Sequence, residues 1–281
     1  MNKKIKTAVY TICKNEINNL ARWLYYGSFY DYRVLLDTGS TDGTWEKLQE
    51  YAKIDSNLII EQKIIDPWNF STARNYNLDM VPNDVDWCLS PDLDEFFTKN
   101  TLDELYQALD AHPDLTNLSC DRFDIYSSTP RVGPPNFIPS NKIHRRHDYI
   151  WVQPIYEHLR WKHQGYEKEL YSDVIYIVHD QDVNKLERPE LYVKMLTEEY
   201  ETNPTNTWCL WFLIYHYWKS ANLTKFIQTG CDYVIHHSNK TDKNYQDVLQ
   251  ELKNIYIHKP KELTEEDFLK VKTTLNSLGS I

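Results

Sequence analysis

A chain of 281 residues has room for one large domain or one domain with an appendage. A formal charge of −10 excludes a nucleic-acid binder that works through bulk electrostatics, and only 7 glycines argue against Gly-rich phosphate loops. Five scattered cysteines without a Cys-x-x-Cys fit buried thiols in a reducing, cytoplasmic setting, and no run reaches the about 18 apolar residues of a membrane span.

The first half of the chain alternates strand and helix. Residues 7–12 form a buried apolar strand, and 17–29 carry Leu20, Trp23 and Leu24 at helical spacing. A second strand at 32–36 leads through the turn Gly39-Ser40-Thr41-Asp42-Gly43 into a helix marked by Trp45, Leu48 and Tyr51. Ser40 or Asp42 is the expected cap of that helix. A strand at 58–60, a helix at 71–80 and a strand at 85–89 follow. Thr101-Leu102-Asp103-Glu104 reads as a capping box that opens a further helix. Alternation of this kind predicts an α/β fold, a mostly parallel sheet with helices on both faces.

From Leu115 the pattern turns to β segments at 117–126, 142–145, 155–160 and 174–178, with a Pro-rich loop at 129–139. Lys142-Ile143-His144-Arg145-Arg146-His147 is a local basic patch, either a nucleic-acid contact or a solvated strand edge. After about Asn184 the sequence is all-helical, with candidates at 186–201, 208–219, 223–237, 245–256 and 264–278. The expected domains are 1–184 and 185–281, the second either a plain helical appendage or a tetratricopeptide-like array.

Polar residues gather where strands of the first half end. In an open parallel sheet, ligands bind beyond the carboxyl ends of the strands. The first strand runs into Cys13-Lys14-Asn15-Glu16, and the second into Asp37-Thr38-Gly39-Ser40. The strand at 85–89 runs into Ser90-Pro91-Asp92-Leu93-Asp94-Glu95. Carboxylates this close resist ionising together unless a cation sits among them, and hard divalent cations bridge such oxygens to phosphate. Asp37 has the chemistry to accept a hydrogen bond from a base imide or a ribose hydroxyl. Arg74 offers a guanidinium to a phosphate or to an acid of the site.

The series Thr11-Ile12-Cys13-Lys14-Asn15-Glu16, Asp37-Thr38-Gly39-Ser40-Thr41-Asp42-Gly43-Thr44, Phe70-Ser71-Thr72-Ala73-Arg74-Asn75 and Asp92-Leu93-Asp94-Glu95 resembles glycosyltransferase family 2, with its GT-A fold. The nearest branch resembles the sublancin-type peptide glycosyltransferases and lipopolysaccharide-core glucosyltransferases. The resemblance implies a Rossmann-like mixed sheet followed by a helical C-terminal region. It implies inverting transfer from a nucleoside-diphosphate sugar, UDP-sugar favoured. Thr11, Cys13, Asn15, Glu16, Asp37, Arg74 and Asp92 would line the donor site. Asp94, Asp92 and His179 would hold Mn²⁺ or Mg²⁺. Glu157, in Pro154-Ile155-Tyr156-Glu157-His158-Leu159, would be the base, with Asp180 and Glu95 as the alternatives and with Tyr156 where the branch has His.

The acceptor stays open among a glycan or lipopolysaccharide, a protein side chain and a hydroxymethylated nucleobase of phage-type DNA. The helical region either presents it or makes a homo-oligomer. Two rival readings stand beside this one. A sugar-phosphate nucleotidyltransferase needs a Gly-rich loop where this chain has Cys13-Lys14-Asn15-Glu16. An inactive α/β domain with a helical scaffold would not need to keep Asp37, Asp92 and Asp94.

Overall fold

A computed structural model describes residues 5–125, 137–180 and 189–281. Most of the Pro-rich loop expected at 129–139 lies outside those residues, as do the domain boundary expected at 184/185 and the start of the helix expected at 186. The chain divides into two compact units, residues 1–186 and 187–281.

The first unit runs β1 (Thr7–Cys13), α1 (Ile17–Gly27), β2 (Tyr32–Asp37), α2 (Thr44–Ala52), β3 (Leu58–Gln62), α3 (Phe70–Met80) and β4 (Trp87–Leu89). It continues with β5 (Glu95–Phe97), α4 (Thr101–Ala111), β6 (Asn117–Ile125), β7 (Phe137–Arg145), β8 (Tyr149–Val152), β9 (His158–Trp161) and β10 (Glu169–Asp180). Eight of these strands make one sheet in the order β3-β2-β1-β4-β7-β6-β10-β5. The strands from β3 to β4 are parallel. β7 then runs antiparallel to both β4 and β6, β10 parallel to β6, and β5 antiparallel to β10 at the edge.

β1 is paired on both sides and covered on both faces, which is why its sequence is mostly apolar, with Thr7 and Thr11 its polar residues, rather than alternating. On one face Leu20 and Trp23 of α1, Leu48 of α2 and Leu105 of α4 pack with Val9, Leu35, Leu89 and Leu118. On the other, Leu78 of α3 and the ribbon β8–β9, through Tyr149, Trp151 and Leu159, pack with Ala8, Tyr10, Val34 and Cys88. Each buried aliphatic side chain contributes roughly 1.5–3 kcal/mol. The two layers clamp the sheet and leave the strand ends between them for chemistry.

Four expectations need correction. Thr101 does not cap α4: the cap position is Asn100, and the Thr101 hydroxyl donates to the Thr98 carbonyl at 2.7 Å. The strand expected at 155–160 starts only at His158, because Gln153 (φ 76) and Tyr156 (φ 53) turn the chain first, so Glu157 sits on the turn. β5 and β8 were not expected; β5 is three residues long and reads as part of the acidic loop. The basic patch is not a sheet edge, and only part of it, His147 above all, reaches the surface. β7 lies inside the sheet, with His144 and Arg146 buried; Arg146 donates to the Val81 carbonyl at 3.1 Å.

The second unit contains α5 (Pro189–Thr202), α6 (Thr207–Lys219), α7 (Leu223–His236), α8 (Lys243–His258) and α9 (Glu265–Ser277). Asn206, Asn222, Asp242 and Thr264 each accept a backbone N–H in the first turn of the helix that follows, which explains why the sequence breaks there. Leu210, Phe226, Ile227, Leu252, Val271 and Leu275 form its core. No helix among the described residues is long and apolar enough to cross a membrane.

Candidate active site

The loops after β1 and β2 form one rim. Parallel pairing sets Cys13 beside Asp37. Asp37 is fully buried; its Oδ1 accepts from the backbone N–H of Gly39 and Ser40 and from Gln62 Nε2, each at 2.9 Å, and Cys13 Sγ donates to Oδ2 at 3.6 Å. Burial, then the neighbouring Asp37 carboxylate, push the Cys13 thiol well up, so it is a neutral donor here. Asn15 adopts a left-handed φ of 59° and ties the loops together: its N–H donates to Ser40 Oγ at 2.8 Å, and its Oδ1 accepts from Thr41 N at 2.7 Å.

Glu16 N donates to Thr44 Oγ1 at 3.0 Å. The cap position of α2 is Gly43 rather than Ser40 or Asp42. Asp42 still serves that turn, accepting from Thr44 N and Oγ1. Burial would push its carboxyl up, but these bonds and one from Ile17 N hold it below its ordinary value. Thr11 is fully buried within β1 and donates to the Ile12 carbonyl at 3.3 Å. It packs inside the sheet and backs the rim.

Beyond β4 a ladder of alternating charges crosses the sheet end. Asn69 caps α3 by accepting from Thr72 N at 2.9 Å and so sets Arg74 on the buried face of that helix. Arg74 Nε donates to Glu157 Oε1 at 2.6 Å and Nη2 to Asp92 Oδ1 at 2.7 Å, while its guanidinium carbon lies 4.7 Å from the centre of the Trp151 ring. Trp151 is itself pinned, its Nε1–H donating to Tyr10 Oη at 2.7 Å. Lys142 Nζ, on β7, donates to Asp92 Oδ2 at 3.0 Å and to Glu95 Oε2 at 2.6 Å. Arg122 Nη1 lies 3.9 Å from Glu95 Oε1, and its Nε donates to Asp124 Oδ1 at 3.1 Å. His179 Nδ1 meets that same oxygen at 3.1 Å, and its Nε2 faces Asp94 Oδ2 at 3.6 Å.

Strand pairing produces this order. β5 sets Glu95 opposite His179, β6 sets Asp124 beside His179, and Asp180 N donates to the Asp94 carbonyl at 2.9 Å.

The ladder determines the charge states. Burial alone would drive Arg74 and Lys142 towards neutrality; Asp92 and Glu157 hold the guanidinium protonated, and Asp92 and Glu95 raise the ammonium above its ordinary value. Burial likewise pushes Asp92 up, but Arg74 and Lys142 outweigh it and hold this carboxyl well below the usual range. His179 is raised: burial works against protonation, but the Asp94 carboxylate, then Glu95, favours it.

Among the described residues, no three Asp, Glu, His or Cys side chains converge at metal-ligand geometry. Asp94 Oδ2 and His179 Nε2 do face one another as an oxygen and a nitrogen donor. Mn²⁺ and Mg²⁺ in nucleotide sites take one or two protein ligands and complete their shell with water and phosphate oxygens. The pair fits such an ion. Arg74 Nη1 is buried without an acceptor among the described residues, a donor that a ligand oxygen would satisfy.

Asp37, Cys13, Asn15 and Glu16 therefore lie at the β1–β2 rim, and Arg74, Asp92, Asp94, Glu157 and His179 along the ladder. Lys142, Arg122, Asp124 and Glu95 complete the ladder. Lys142, Arg122 and Asp124 did not stand among the expected donor, metal or base residues, although Lys142 belongs to the basic patch; Glu95 belongs to the quoted acidic motif and stood as an alternative base.

The mixed, mostly parallel curled sheet with its helices and the helical C-terminal unit define a GT-A-like protein. The sequence profile of glycosyl transferase family 2 matches residues 9–172, more than half of the chain, and the protein belongs to that family. Among solved structures, S. aureus TarS 1-349 in complex with UDP-GlcNAc is similar in fold at 14% identity and a TM-score of 0.54, over 98% of this chain and 92% of that one. GalNAc-T7 with UDP, GalNAc and Mn²⁺ is similar at 13% identity and a TM-score of 0.51, over 94% of this chain and 59% of that one. No curated protein matches the sequence.

Proposed function

We propose that the protein is a metal-dependent, inverting glycosyltransferase that moves a hexosyl or pentosyl group from a UDP-sugar to a hydroxyl of a glycan or protein. One observation carries this reading: the acids at the sheet end are interleaved with buried Arg74 and Lys142 up to Asp92, whereas Asp94 faces the imidazole of His179. A buried array of this kind contributes little to stability for its cost in desolvation, so its use is elsewhere.

In this reading Asp37 holds the nucleoside end. Its carboxylate rigidifies the Gly39-Ser40 turn that meets the base and ribose, with Asn15 and Glu16 fixing the opposite wall and Thr11 and Cys13 behind it. Asp92 orients Arg74 and Lys142 towards the diphosphate. Asp94 and His179 hold Mn²⁺ or Mg²⁺, which when bound neutralises charge on the departing diphosphate without a proton transfer. Glu157 takes the proton of the acceptor hydroxyl. Arg74 engages its Oε1, so Oε2 is the oxygen assigned to that proton.

Residues 1–184 would be the catalytic domain, and 185–281 a tetratricopeptide-like region that presents the acceptor or joins copies of the chain in the cytoplasm. The branch of the sublancin-type and lipopolysaccharide-core enzymes fits this arrangement. A nucleobase acceptor loses its electrostatic footing, because Lys142, His144 and Arg146 turn inwards.

UDP release from a panel of UDP-sugars, with and without EDTA, tests the reading. Release that needs the metal is expected, and E157Q should keep donor binding while losing transfer to acceptor. Undiminished rates in excess EDTA contradict the metal-assisted site; near wild-type transfer in E157Q places the base elsewhere.

A further inference from the structure

β6 carries a carboxylate to which the reaction as described assigns no task. Asp124 is 4% exposed and pairs in register with His179 of β10. Its Oδ1 accepts from Arg122 Nε and lies 3.1 Å from His179 Nδ1. Arg122 stands two residues away on the same strand and already balances the charge of Asp124, so the contact with His179 is not needed to neutralise a buried acid. What the contact does is select a nitrogen. An ionised carboxylate only accepts, so Nδ1 must carry a proton. The other nitrogen, Nε2, is the one turned towards Asp94 Oδ2. Register fixes the backbone of His179 from both sides, since Glu95 of β5 pairs with it across the opposite edge of β10.

We propose that Asp124 is a positioning residue that holds His179 with its proton on Nδ1 and aims Nε2 into the divalent-cation seat beside Asp94. The proposal rests on the reading of Asp94 and His179 as ligands of that cation. Carboxylates behind a ligating histidine fix its tautomer and orientation, and their loss typically weakens metal binding about 10- to 100-fold.

The test uses the full chain as wild type, D124A, D124N and H179A. Mn²⁺ affinity is measured by electron paramagnetic resonance with UDP present, and UDP affinity without metal by calorimetry. The histidine ring nitrogens are followed by ¹⁵N NMR, with the H179A spectrum assigning the His179 signals. D124A is expected to weaken Mn²⁺ binding about 10- to 100-fold, to leave metal-free UDP affinity unchanged, and to move His179 from one tautomer to a mixture. D124N keeps the size of the side chain but not its charge, and is expected to weaken Mn²⁺ binding about 10-fold; it carries the test if D124A fails to fold. Mn²⁺ affinity equal to wild type in the folded Asp124 variants, with the His179 nitrogen pattern unchanged, overturns the proposal. If H179A itself binds Mn²⁺ as wild type does, the reading of the cation seat fails and the proposal falls with it; weakened binding in H179A beside wild-type binding in the Asp124 variants overturns the positioning role alone.

Discussion

Asp92 and Asp94 stand one residue apart, yet they meet different surroundings. Asp92 touches two groups that stay charged at any ordinary pH, with Arg74 on Oδ1 and Lys142 on Oδ2. Asp94 faces the imidazole of His179, a group that titrates and ligates metals. The difference arises from topology. Asp92 leaves β4 on the side of α3 and β7, which bring Arg74 and Lys142, whereas Asp94 leads into β5, whose pairing with β10 brings His179. An Asp-x-Asp motif can thus divide its labour: one acid organises fixed cations, and the other is the one we propose for an exchangeable cation.

Breaking the Asp92 end should have the largest effect. R74M leaves the mostly buried Glu157, and the part-exposed Asp92, without their guanidinium; removing one partner of a buried pair costs about 3–5 kcal/mol, and solvent screening at Asp92 places the expected loss at the lower end. Denaturant unfolding should show that loss. R74K should recover only part of it, because an ammonium cannot fork to both carboxylates. A loss under about 1 kcal/mol would mean that the ladder is not a structural unit.

The Asp94 end should behave in the opposite way. D94A is expected to lower turnover by about 10²–10³ with the unfolding midpoint close to wild type, since in the proposed reaction the lost group stabilises charge in the transition state rather than the fold. Steady-state rates beside a thermal melt check this. A variant that unfolds early but keeps its rate would reverse the division between the two acids.

A smaller effect tests the wall behind Arg74. His144 is fully buried, its Nε2 meets Tyr10 Oη at 2.9 Å, and burial pushes its pKa down to about 4. The unfolded chain takes up this proton near pH 6.5 and the folded chain only near 4, so the stability tied to the neutral ring is present above pH 6.5 and is lost as pH falls through that window. The loss is roughly 3 kcal/mol at its limit. Stability measured from pH 7 to 4 should fall less steeply in H144Q than in wild type; parallel slopes would show that another group governs the acid limb.

The same division shows what the sequence could reveal. Buried runs such as residues 7–12 and 32–36, and the acids that end strands, were legible because burial and charge are local properties of a segment. Lys142, Arg122 and Asp124 were not, because they reach the site only through the β4–β7, β6–β7 and β6–β10 pairings, which no local pattern states. One signal was present: Lys142 and His144 occupy alternate positions, the period of a strand face, so they share one side of β7 rather than forming an outward basic cluster with their neighbours. The capping box failed for a related reason. Thr101 has the right residue type, but Thr98 lies close enough to take its hydroxyl, and the helix starts without a side-chain cap.

The most direct measurement is the anomalous signal of Mn²⁺ in a crystal soaked with manganese and UDP. The expected result is one manganese peak within coordination distance of Asp94 and His179, bridging to the diphosphate, with the uridine against the Asp37 turn. Manganese and UDP lodged away from that sheet end would contradict the central claim that these acids gather a cation for a departing nucleoside diphosphate.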